Sequence, residues 1–156
     1  MKPLIRAFGA TFGILRAEYR QIVNRYIAGI ERFPGDAQEI CRQILARLWY
    51  GDFYRTSLGH YNFFWMRDFG TVAESSVRLN ETTHVHHTLR WAMRHYRRSG
   101  RVKLCIDKSG NVFNAPGLPS IDALPWLLHS LVVSHYSLNA DEVEFLNEQL
   151  SWYVKR

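Results

Sequence analysis

Apolar residues recur at three- and four-residue spacing through most of this chain, which commits it to a fold built from helices. Over residues 14–32 the recurrence is Tyr19, Ile22, Val23, Tyr26, Ile27 and Ile30. Phe33-Pro34-Gly35-Asp36 breaks that helix, and Asp36 is placed to cap a second one ending near Leu48, with Ile40, Ile44, Leu45 and Leu48 on one face. A third helix is expected over 68–79. Asn80 to Thr83 then turns, and a fourth spans 82–98 with Val85, Leu89, Ala92, Met93 and Tyr96 inward. A fifth runs from Ile121 to Ser137, with Pro125 in its first turn. Asn139-Ala140-Asp141-Glu142 has the form of a capping box opening a sixth, to Val154, with Val143, Leu146, Leu150 and Tyr153 as its stripe. Val102–Ile106 and Val112–Phe113 flank a turn at 107–111 and predict a small β-hairpin. The expected fold is all-α: three consecutive helical hairpins in one domain over 1–156, with residues 1–13 irregular and a β-hairpin near 102–113.

A chain of 156 residues suits one domain with a sizeable core. No apolar run approaches the roughly 18 residues of a membrane span, and the N-terminus lacks the features of a signal peptide. A cytoplasmic protein with no membrane partner is expected. Cys41 and Cys105 make no disulfide framework, and their apolar neighbours predict buried thiols. The net charge of +6 concentrates in 90–101, where Arg90, Arg94, Arg97 and Arg101 fall near one helical face. A solvated face explains this better than a nucleic-acid site. His84 and His87, at i and i+3, have the spacing to meet a metal, but boundary histidines account for them and no cofactor is expected.

The densest chemistry lies in Tyr61-Asn62-Phe63-Phe64-Trp65-Met66-Arg67-Asp68-Phe69-Gly70, where five aromatics flank an Arg-Asp pair. The segment before it, 49–66, lacks periodicity and reads as a long aromatic-rich loop. Aromatic rings pack against apolar faces, while a guanidinium and a carboxylate supply donors and acceptors. Sugars need both. A buried aromatic cluster with a structural ion pair is the plainer alternative.

Three segments resemble the six-hairpin, (α/α)6-toroid glycosidases, above all the glucosidase domain of glycogen debranching enzymes and the glucoamylases. They are Phe64-Trp65-Met66-Arg67-Asp68, Gly110-Asn111-Val112-Phe113-Asn114 and Pro119-Ser120-Ile121-Asp122-Ala123-Leu124-Pro125-Trp126-Leu127. The resemblance covers residues 50–137 and implies half of a toroid that binds a terminal sugar of an oligosaccharide or polysaccharide. It implies that Arg67 donates to hydroxyls, Asp68 accepts from them and Trp65 walls the subsite. Asp122 either lines the pocket or caps its helix.

Glycoside hydrolysis by inversion needs two carboxyls roughly 6.5–9.5 Å apart. In the resembled enzymes both come later in the chain, so the catalytic residues are unknown here. Glu74 either faces the pocket or pairs with Arg78, and Asp141, Glu142, Glu144 and Glu148 read as a cap and a solvated face. The expectation is a glycosidase-like domain needing further chain, a second copy or a C-terminal partner to close the ring. The alternative is a basic helical nucleic-acid or protein interaction module without catalysis.

Overall fold

The computed structural model of the protein describes residues 32–58, 62–114 and 120–155, with isolated positions 19, 22, 23 and 26 before them. The expected helix over 14–32, those four positions apart, lies outside the described residues, as do Tyr61, Pro116, Gly117 and Pro119. Five helices are described: α1 (Ala37–Leu48), α2 (Met66–Arg78), α3 (Thr82–Ser99), α4 (Ala123–Val133) and α5 (Ala140–Val154). Three two-residue strands accompany them: β1 (Phe64–Trp65), β2 (Cys105–Ile106) and β3 (Val112–Phe113). The fold is mainly helical with a small β element, as the periodicity requires.

Local chemistry sets the helix ends. Asp36 caps α1 by accepting from the Glu39 N–H at 2.9 Å. Asn139 and Glu142 form the reciprocal capping box at the start of α5. Two helices end in the same six-to-one, five-to-two pattern of backbone bonds. At the end of α2, Glu81 N–H reaches Ser76 O and Asn80 N–H reaches Val77 O, with Asn80 at φ 69°. At the end of α4, Tyr136 N–H reaches Leu131 O and His135 N–H reaches Val132 O, with His135 at φ 52°. α4 therefore stops at Val133, short of the expected Ser137.

Alternate helices lie against each other: α2 packs along α4, and α3 against α5. Gly70 permits the first contact, because a Cβ there would stand 2.8 Å from the Trp126 Cβ. The core gathers Phe64, Met66 and Phe69 with the α3 face of Val85, Leu89, Ala92, Met93 and Tyr96, every one of which is buried as expected. Phe53 stacks on Trp91 at 4.0 Å, bringing the irregular 49–58 segment onto α3.

Three expectations need correction. The β-hairpin gains a third strand, since β1 pairs antiparallel with β2 through Phe64↔Ile106 and Trp65↔Cys105. Cys41 is exposed and only Cys105 is buried. The inward face of α5 is Glu142, Phe145, Leu146 and Gln149, whereas Val143, Leu150 and Tyr153 are exposed. Polar anchors rotate that helix: Glu142 holds the Tyr136 hydroxyl at 3.1 Å, and Gln149 bonds Gly100 O and the Val102 N–H at 3.2 and 3.3 Å.

Candidate functional site

The strand-to-helix junction at 64–68 splits its side chains three ways. Phe64 points into the core and Trp65, on the opposite side of the strand, is half-buried. Arg67 and Asp68, successive residues in the first turn of α2, diverge because neighbouring helical positions do not share a face.

Arg67 reaches α4. Its Nε donates to Asp122 Oδ2 at 2.5 Å and Nη2 to Asp122 Oδ1 at 3.2 Å, a two-pronged pair joining the first and third sequence segments. The guanidinium holds the Asp122 carboxyl below the usual carboxylate range, with a further bond from Ser120 Oγ. Asp122 sits at the N-cap position of α4 without a capping bond of its own. Ser120 accepts the Ala123 N–H instead, at 3.0 Å. Of Asp122's two expected roles, capping thus passes to Ser120. The Arg67 side chain stays 55% exposed, so its remaining N–H donors face water.

Asp68 turns to the other side and lines a cleft of about 340 Å³ between α1, α2 and the 49–58 segment. Ile44, Leu45, Leu48, Phe69 and Val72 supply apolar wall, while Tyr54, Arg55, Thr56, Thr71 and Ser75 supply polar groups. The volume lies at the small end of ligand pockets, and apolar walls with a few polar groups are their usual lining. Partial desolvation by these walls pushes the Asp68 carboxyl up despite nearby Arg67. Trp65, Arg67 and Asp122 do not line this cleft, so the structure places the four sequence-predicted residues at one junction but in two settings.

Arg55 escaped the sequence reading. It donates to Asn62 Oδ1 at 3.3 Å and to Arg47 O at 2.8 Å, and its buried Nε has no hydrogen-bond partner among the described residues. It sits in an aperiodic segment, where no spacing marks it. Tyr54 is held behind the cleft by Glu81, whose Oε2 accepts from the Tyr54 hydroxyl at 3.0 Å and meets His84 Nδ1 at 2.5 Å. His84 therefore has the Glu81 carboxylate beside it. No group of three or more His, Cys, Asp or Glu side chains is placed to hold a metal among the described residues.

Three of the other candidate acids are occupied, while Glu144 and Glu148 are exposed on α5. Glu74 pairs with Arg78 at 2.6 Å, Asp141 with Arg97 at 2.7 Å, and Glu142 is buried in its capping box. In the basic run at 90–101, Arg97 has Asp141, and Arg101, just past the end of α3, lies 4.7 Å from the centre of the Trp152 ring. Among the described helices, none is long and apolar enough to cross a membrane. Compared with known proteins, the chain matches no family model, no curated protein and no solved structure.

Proposed function

We propose that this domain binds a sugar residue of an oligosaccharide or polysaccharide, as a glycosidase-like module of the cytoplasm. The observation carrying this reading is the cleft. Asp68 offers a carboxylate acceptor among hydroxyls and apolar walls, in a space of about 340 Å³. A pyranose presents a matching mixture of C–H faces and hydroxyls. The Arg67–Asp122 pair supports the same reading differently: it locks α4 to the junction that carries Asp68 and leaves further Arg67 donors facing solvent.

Binding is proposed without a hydrolytic step in this chain alone. Inverting hydrolysis requires an acid and a base across the bond, and among the described residues Asp68 is the one carboxylate lining the cleft. Catalysis would then draw its second carboxyl from a second copy or from a partner chain completing a ring of hairpins. Exposed Val132 on α4, Val154 on α5 and Ile121 just before α4 fit such an addition.

Calorimetric titration with maltooligosaccharides and isomaltose-type sugars tests the proposal. Saturable binding lost in Asp68→Asn, with the fold intact, supports it. Absence of binding to any neutral sugar, together with salt-dependent binding of an oligonucleotide, would favour the basic interaction module instead.

A further inference from the structure

One polar cluster at the edge of the cleft is unused by the reading above. Tyr50 is 47% exposed, and two cations converge on its ring. The Arg55 Cζ lies 5.2 Å and the Lys108 Nζ 4.6 Å from the ring centre. They come from separate segments, Arg55 from the 49–58 segment and exposed Lys108 from the turn between β2 and β3. Neither has a carboxylate partner among the described residues. Among the described residues, Arg55 donates to the neutral oxygens of Asn62 and Arg47. Asp107, beside Lys108, spends its carboxylate on the backbone N–H groups of Ser109 and Asn111 and on the Asn111 amide.

Two like charges beside one ring repel each other. Cation–π attraction returns only about 0.5–1 kcal/mol per exposed cation. An anion that reaches both offsets that repulsion and gains a charge-assisted contact from each. Arg55 also lines the cleft that Asp68 lines, so an anion held by Arg55 borders that cleft.

We infer that Arg55, Lys108 and Tyr50 form an anion subsite at the rim of the cleft, so that the ligand is a sugar carrying a phosphate, sulfate or carboxylate group. This rests on the sugar reading of the cleft for the ring and on the two unpaired cations for the charge. A nucleic-acid strand fits less well. It calls for a track of cations with free aromatic faces, whereas this ring is shared by two cations and, in the basic run at 90–101, Arg97 and Arg101 are engaged.

The test compares glucose, glucuronate, glucose 6-phosphate, inorganic phosphate and an oligothymidylate against the wild type and Lys108→Gln, with melting temperature confirming the fold. Lys108 is exposed, so its replacement leaves the core untouched. The acidic sugars are expected to bind about tenfold tighter than glucose, the size of two exposed ion pairs, and the preference shrinks with salt. Lys108→Gln removes most of that preference, and Arg55→Lys, which keeps the charge, retains part of it. Equal affinity for glucose and the acidic sugars, or a preference that survives Lys108→Gln, overturns the subsite. Inorganic phosphate binding as tightly as the sugar phosphate, or the oligothymidylate binding tighter than either acidic sugar, overturns the sugar as its carrier. If every sugar fails yet phosphate binds and Lys108→Gln abolishes it, the anion subsite stands and the cleft reading beneath it falls.

Discussion

Arg67 and Asp122 stand 55 positions apart in sequence and meet through two hydrogen bonds, at 2.5 and 3.2 Å, which fasten the start of α2 to the start of α4. The pair is partly exposed, with 55% and 29% of the two side chains accessible, so solvent screening keeps its energy modest. A double-mutant cycle of Arg67→Ala and Asp122→Ala, read by urea unfolding, is expected to give a coupling of about 0.5–1 kcal/mol. The pH dependence has a definite sign. The Asp122 carboxyl is lowered in the folded state, chiefly by its bond to Arg67, so its contribution is present above the unfolded value of about 3.9 and is lost as pH falls through the folded value. Asp122→Asn should flatten that part of the acid limb.

Asp68 behaves oppositely. Desolvation raises its carboxyl, so the charged form costs stability at neutral pH, and the protein gains from this group as pH falls through the raised value. Asp68→Asn is therefore expected to raise the melting temperature at pH 7 while abolishing sugar binding. A residue kept for stability would show a lower melting temperature instead.

The left-handed helix ends divide two similar positions. Asn80 and His135 both occupy positive φ, and Asn tolerates that conformation better than His. His135→Gly should stabilise the protein by about 1 kcal/mol in urea unfolding, because exposed His135 makes no described contact that Gly would lose.

Gly70 lies at a close approach of α2 to α4. Gly70→Ala would force its Cβ against the Trp126 Cβ and Cε3, at 2.8 and 2.9 Å, and Trp126 is a packed ring rather than a flexible chain end. A loss of about 1–3 kcal/mol is expected, along with weaker Arg67–Asp122 coupling as the two helix starts separate.

What the sequence made legible was local. Asp36, the 139–142 capping box and the α3 face all follow from rules acting within one or two turns, and each stands in the structure as expected. What escaped it was set by distant partners. The two-residue strand β1 is too short to show alternation, and only its partner β2 reveals it. The stripe expected on α5 was displaced because Glu142 and Gln149, polar by type, turn inward to Tyr136, Gly100 and Val102. Cys41 has apolar neighbours in sequence yet is exposed on α1. At the site, the adjacency of Arg67 and Asp68 suggested one shared ligand. The helix instead sends Arg67 to Asp122 and Asp68 to the cleft, and nothing in the spacing of Arg55 marked it as a cleft residue.

The most direct test of the sugar-binding cleft uses its own thiol. Cys41 is exposed and lines the cleft, whereas burial pushes the Cys105 thiol up to about 12 and keeps it unreactive, so an alkylating reagent at pH 8 reports on Cys41 alone. The account predicts that saturating maltooligosaccharide slows Cys41 alkylation in the wild type and that Asp68→Asn abolishes the protection. Alkylation at an unchanged rate, under conditions where calorimetry shows the sugar bound, would place the sugar elsewhere and contradict the account.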